Sequence, residues 1–212
     1  MRKTTITFSA VCKMFVVLLL ACTSIFRLQA QTYPFTTCGA TGLNGPTQTQ
    51  VNLAYASTPI TLVTSNNGIQ EWPVPATGLY SIKVAGAKGG GAGGGNGAVM
   101  AGEFLLNQGH VIQIVVGQRG TGGFGSQGSV NSGGGGGGSY VVNKTTGTIL
   151  IIAGGGGGGN GDYGFSYPNT AGNPANTGTS GNSTYQTGGG VNGNGGRNGI
   201  IDDPAAGGGG YF

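Results

Sequence analysis

Histidine occurs once in the 212 residues, acidic side chains five times, and cysteine three times. A metal cluster needs several converging ligands, and acid–base catalysis needs positioned titratable groups. One His and five scattered acids assemble neither a nucleophile–base pair nor a pair of carboxylates, so no catalytic residue, metal site or cofactor is expected. Charged residues are 7% of the chain, yet hydrophobic residues reach 37%. That apolar content is too high for a simple disordered tract, where low hydropathy goes with high charge. What the chain has in excess is glycine, 50 residues, against an average usage of about 7%. No strict Gly-X-Y period runs through it, which excludes collagen.

Residues 1–30 contain no glycine and hold Arg2, Lys3, Lys13 and Arg27, four of the nine basic residues. A basic start, an apolar run from Met14 to Leu20 continuing to Phe26, and Leu28-Gln29-Ala30 before Gln31 read as a signal peptide. The run is too short and interrupted for a membrane span, which needs about 20 residues. An alternative is the bacterial-lipoprotein-like Leu19-Leu20-Ala21-Cys22, which would start the mature chain at a lipidated Cys22 and tie it to a membrane. The expected location is therefore secreted or cell-surface. Without residues 1–30 the charges are Lys83, Lys88, Arg119, Lys144 and Arg197 against Glu71, Glu103, Asp162, Asp202 and Asp203, a net of zero. The basic pI belongs to the leader, and no nucleic-acid or acidic-membrane partner is implied.

Cys38 alone remains after export and cannot close an internal disulfide. It reads as a small buried hydrophobe, with an intermolecular or downstream partner as the alternative.

Glycine is sparse from Gln31 to Ala85, where only Gly39, Gly42, Gly45, Gly68 and Gly78 occur. It then becomes dense, in tracts phased with apolar runs. Ser81–Ala85, Val111–Val116, Ser139–Val142 and Ile149–Ala153 are short, β-branched and bounded by turn residues, which makes them strands. Ile60–Val63, Ile69–Val74 and Ala98–Leu106 are further strand candidates, and no segment shows a sustained helical period. Short strands with frequent turns predict an all-β fold, a sandwich or jelly roll.

The tracts need their own account. Ordering a glycine costs roughly 0.5–1 kcal/mol more than ordering alanine. Flexible linkers avoid that cost by staying disordered, but Ser, Asn or Gln would serve a linker as well. Pure glycine is required where backbones approach so closely that a Cβ would clash, as at the collagen axis. The expectation is a set of polyglycine helices, three residues per turn, hydrogen-bonded side by side with Cα–H···O contacts adding.

Phe35-Thr-Thr-Cys-Gly-Ala-Thr-Gly-Leu-Asn-Gly-Pro-Thr-Gln-Thr-Gln50 and Asn67-Gly-Ile-Gln-Glu-Trp-Pro-Val-Pro-Ala-Thr-Gly-Leu-Tyr80 are unusual stretches. Gly102-Glu-Phe-Leu-Leu106, Ile114-Val-Val-Gly-Gln118, Gly138-Ser-Tyr-Val-Val142 and Leu150-Ile-Ile-Ala-Gly154 follow them in order. Together they resemble the glycine-rich domain of the anaplastic lymphoma kinase and leukocyte tyrosine kinase receptors and its bacterial relatives, over residues 35–159. Beyond Asp162 only the glycine-tract style persists. The resemblance implies a tumour-necrosis-factor-like jelly-roll sandwich whose loops carry bundled polyglycine helices. In the receptors that region is extracellular and binds the activating protein ligand, and similar bundles occur in phage-tail adhesins. Where the receptors have a second Cys after the Gly-Pro-Thr-Gln stretch, this chain has Val51, so the implied local disulfide is absent. Family members continue past the point matched by Phe212 with more tracts and a closing strand. The expectation is therefore a signal peptide over 1–30 and a domain over 31–212 that is truncated at its C-terminus, with an open sheet edge. Val-Ala-Ile-Lys, His-Arg-Asp and Asp-Phe-Gly, the marks of a kinase domain, do not occur.

Gly-x-Gly-x-x-Gly patterns arise by chance at this glycine density, and no helix follows them as phosphate binding requires. His110 reads as a solvated turn residue and Asp202-Asp203-Pro204 as a polar loop, two acids being too few for calcium. Asn143-Lys-Thr145 and Asn182-Ser-Thr184 are glycosylation sequons in a eukaryotic source only. Trp72, in an apolar strand, reads as core. Tyr163, Phe165 and Tyr167 stand at alternate positions and would share one side of an extended segment. They are the candidate recognition residues, set to stack on a glycan or insert into a surface protein. The alternative is that they cover the end of the sandwich or of the glycine bundle. Two function classes lead: a non-enzymatic surface protein presenting recognition loops, and a structural spacer in a longer surface polypeptide.

Overall fold

The computed structural model describes residues 30–42, 44–91, 93–124 and 131–159. The chain divides into Met1–Thr32, of which only 30–32 are described, and Tyr33–Phe212, which holds every described helix and strand. Strands far outweigh helix among the described residues, as an all-β fold requires.

One helix precedes the strands, where the sequence predicted none. It is α1, Gln48–Tyr55. Thr47 caps it: the Thr47 Oγ1 accepts from the Gln50 amide at 3.4 Å, and the Gln50 Oε1 accepts from the Thr47 amide at 2.9 Å. This reciprocal box satisfies two orphan donors. Two turns are too short for a visible period, but Val51 and Tyr55, four residues apart, both face the core. Val51 is 1% exposed. Ile60–Val63 is not the predicted strand. Ile60 and Val63 are buried anchors, but Leu62 takes a left-handed φ of 59°, which breaks extended pairing.

The strands are β1 (Thr64–Asn66), β2 (Ile69–Pro73), β3 (Gly78–Ala85), β4 (Val99–Leu106), β5 (Val111–Val115), β6 (Gly122–Phe124), β7 (Asn131–Gly133), β8 (Ser139–Asn143) and β9 (Thr148–Ala153). β1 and β2 turn at Asn67-Gly68, both at positive φ (49° and 82°), the geometry that a tight hairpin demands. Five strands form one antiparallel sheet in the order β1-β2-β5-β8-β9. Its register aligns Gln70, Ile114, Val141 and Ile151 in one buried row. β3 and β4 form a two-stranded sheet, and β6 and β7 another.

The core lies between the five-stranded sheet and β3–β4. Val51, Tyr55, Trp72, Leu106, Ile112, Ile114, Val141 and Ile151 form its buried centre. Tyr80, Ile82, Val84, Met100 and Phe104, the inner face of β3–β4, pack against it half-buried. Trp72 is core, as expected. Its ring lies 4.8 Å from that of Tyr33, 5.6 Å from Phe35 and 6.2 Å from Tyr80. These are tilted and edge-on arrangements of the kind aromatic quadrupoles favour.

Candidate functional site

Five glycine-rich tracts, residues 86–91, 93–98, 117–121, 133–138 and 154–159, extend from the strand ends and bond to one another. Gly86 and Gly89 donate to the carbonyls of Ala98 and Gly95 at 2.8 and 2.9 Å. Ala87 and Gly90 donate to Gly137 and Gly134 at 2.9 and 2.8 Å. Gly156 and Gly159 donate to Ala87 and Gly90 at 2.9 and 3.0 Å, and Gly120 donates to Lys88 at 3.1 Å. The tract 86–91 is thus bonded to all four others. Outer neighbours bond too: Gly95 and Ala98 to Gly157 and Gly154, Gly133 and Gly136 to Gly159 and Gly156, Gly134 and Gly137 to Thr121 and Gln118. In each tract pair joined by two of these bonds the donors step by three residues.

The close approach explains why these positions hold glycine. A Cβ on Gly86, Gly89, Gly120, Gly133, Gly136, Gly155, Gly156 or Gly158 would fall within 3.0 Å of a neighbouring carbonyl group, which real Cβ atoms do not tolerate. Of the tract residues with larger side chains, Lys88, Asn96, Arg119 and Thr121 are exposed, whereas Gln118 is half-buried. The alanines of the array, Ala87 and Ala98, are half-buried and buried.

Ser139 ties the array to the sandwich. It is 4% exposed, and its Oγ donates to the Ala85 carbonyl at 2.7 Å and accepts from the Gly117 amide at 2.9 Å. Sequence reading missed it; its signal was a lone hydroxyl between a glycine tract and a strand. Gln118 Nε2 reaches the Asn44 carbonyl at 2.7 Å and joins the array to the loop before α1.

The tract amides named above are spent on neighbouring tracts and so are not free to hold a phosphate. Among the described residues no group of three His, Cys, Asp or Glu could hold a metal ion. His110, between β4 and β5, is half-buried rather than solvated: its Nδ1 accepts from Asn143 Nδ2 at 2.9 Å, and its carbonyl accepts from the Val74 amide at 2.8 Å. Asn143 is 4% exposed, and its Oδ1 accepts from the amides of Thr145 and Thr146 at 3.1 and 3.3 Å. With Oδ1 held by its own turn and Nδ2 by His110, the Asn143 sequon is closed to glycosylation in the folded protein. Cys38 is a free thiol, half-buried, at φ 51°, with Sγ 3.7 Å from Gln70 Oε1. Tyr163, Phe165 and Tyr167, with Cys22, Asn182, Asp202 and Asp203, lie outside the described residues.

The chain matches no protein-family model. Over 96 residues it is 40% identical to the leukocyte tyrosine kinase receptor of Mus musculus. A relation to that receptor stands on this match. It covers 41% of the chain but 11% of the receptor, so the similarity concerns a small part of a much longer protein. No helix among the described residues is long and apolar enough to cross a membrane.

Proposed function

We propose that the chain is an exported, non-enzymatic extracellular domain of binding or adhesion type. In this reading a tumour-necrosis-factor-like jelly-roll sandwich carries a bundle of polyglycine helices as the rigid mount for recognition loops. The single observation that carries it is the three-residue step of the bonds between tracts, the repeat of a helix with three residues per turn. Such an array spends backbone amides on rigidity and leaves only rim side chains and loop residues to meet a partner.

The similarity to a receptor supports an extracellular or cell-surface location. Kinase chemistry does not come with it: the matched part is 11% of that protein, and the chain lacks the lysine, catalytic-loop and metal-binding motifs of a kinase. Export rests on residues 1–30, with lipidation at Cys22 as the alternative anchor. The partner is a surface protein or a glycan, met by Tyr163, Phe165 and Tyr167. The spacer reading draws on the same stiff array and differs in needing no partner.

Glycan-array and cell-capture assays on the secreted full chain test this. Binding is expected, and it should disappear when Tyr163, Phe165 and Tyr167 are all changed to alanine with the circular dichroism spectrum unchanged. A folded chain that captures nothing leaves the spacer.

A further inference from the structure

β3 and β4 pair only with each other among the described residues, and each is eight residues long. Two strands alone are marginal in water, and an open edge is a template for another strand. The outer face of this hairpin carries Leu79, Ser81, Lys83 and Ala85 on β3, opposite Leu105, Glu103, Ala101 and Val99 on β4, all exposed. Leu105 is 72% exposed and Val99 54%.

We propose that the edge of β4 paired with no described strand joins antiparallel with β4 of a second copy about a two-fold axis through Gly102, giving a four-stranded sheet β3-β4-β4-β3. Register selects this axis. A two-fold between residues would set inner side chains beside outer ones, because the pleat has a period of two. A two-fold at Glu103 would set two carboxylates directly opposite, which is unfavourable. Centred on Gly102, Met100 meets the second copy's Phe104 on the inner face. On the outer face Val99 meets the second copy's Leu105, so the exposed apolar residues of β4 cover each other. Ala101 stands opposite the second copy's Glu103, and Lys83, directly across Ala101 in its own hairpin, reaches over that small side chain to the same carboxylate. Two such pairs form, one for each copy. Pairing through β3 about Ile82 sets Leu79 against Ala85 and leaves Val99 and Leu105 open on the far side. That contrast favours β4.

Sedimentation velocity of the full chain, over a series from about 1 to 300 µM, spans the range expected of a small, weak interface. A concentration-dependent dimer is expected. Ala101→Glu places a carboxylate opposite Lys83 within the hairpin, which folding accommodates, but opposite the second copy's Glu103 in the dimer. It is expected to weaken association at least about tenfold with the melting curve unchanged. Adding Glu103→Lys to Ala101→Glu pairs opposite charges across the axis and is expected to restore the dimer. A wild-type chain that stays monomeric throughout overturns the proposal and assigns the edge to another segment or a different protein. A dimer indifferent to Ala101→Glu overturns it equally, by placing the contact elsewhere.

Discussion

The carbonyl of Gly136 occupies the place where a Cβ on Gly155 would stand. Gly136 is held there by its own amide, which donates to Gly156 at 2.8 Å, and by the bonds of the adjoining Gly137 and Gly134. Neither tract can retreat without breaking bonds to a third.

Gly155→Ala is therefore expected to destabilise the domain by about 2–3 kcal/mol or more, the scale of overpacking with backbone movement. Gly122→Ala is the control. Nothing lies within 4 Å of a Cβ there, and its φ is not in the left-handed region, so a change within about 0.5 kcal/mol is expected. Chemical denaturation of both variants checks the contrast. Equal effects would mean that the tracts are not tightly packed against one another.

Tyr55 donates its hydroxyl to Gln70 Oε1 at 2.5 Å, and Gln70, 1% exposed, sends Nε2 to the Thr36 carbonyl at 2.8 Å. Tyr55→Phe leaves the buried Gln70 Oε1 with only the weak Cys38 thiol as donor and is expected to cost about 1–3 kcal/mol. Burial pushes the Tyr55 hydroxyl up to about 12, with the neighbouring Cys38 adding to the shift. The folded value lies above the ordinary one, so this stabilisation is complete below pH 10 and is lost as the pH rises from 10 towards 12. Denaturation at pH 8 and pH 11 checks it: the wild type should weaken more than the Tyr55→Phe variant.

Glu71 on β2 takes Lys144 Nζ on both carboxylate oxygens at 2.9 Å and Gln113 Nε2 at 2.9 Å, so one carboxylate joins β2, β5 and the turn after β8. The hydrogen bonds from Lys144 first, then Gln113, hold its pKa below the usual carboxylate range. Their contribution is present above that range and fades as the pH falls through it to the folded value. The Lys144 side chain is 46% exposed, so Lys144→Met is expected to cost under about 1 kcal/mol at neutral pH and nothing in acid. Melting curves from pH 7 down to pH 2 decide it: a loss that does not shrink as the pH falls would mean packing, not charge, holds this corner.

β2, β3, β4, β5, β8 and β9 were legible because apolar runs of strand length are bounded by turn residues. α1 was not, since its capping box is a matter of two side chains and its two turns show no period. Ile60–Val63 has strand composition but lacks a strand's backbone, because Leu62 adopts a conformation that no composition reveals. Asn143 read as a sequon, and the partner of its side-chain nitrogen is His110, 33 residues away in the chain.

By itself the sequence determined an all-β chain, nearly devoid of catalytic groups, in which glycine is concentrated after Gly86 and phased with strands. Local composition suffices for that, because strand propensity and the absence of a Cβ are properties of single residues. Only the tertiary structure decided which glycine faces which carbonyl, that tract 86–91 bonds to the other four, and that Ser139 joins the array to the sandwich. Those relationships link residues dozens of positions apart. They exist only once the sheets have set the tract ends at the spacing where backbone meets backbone.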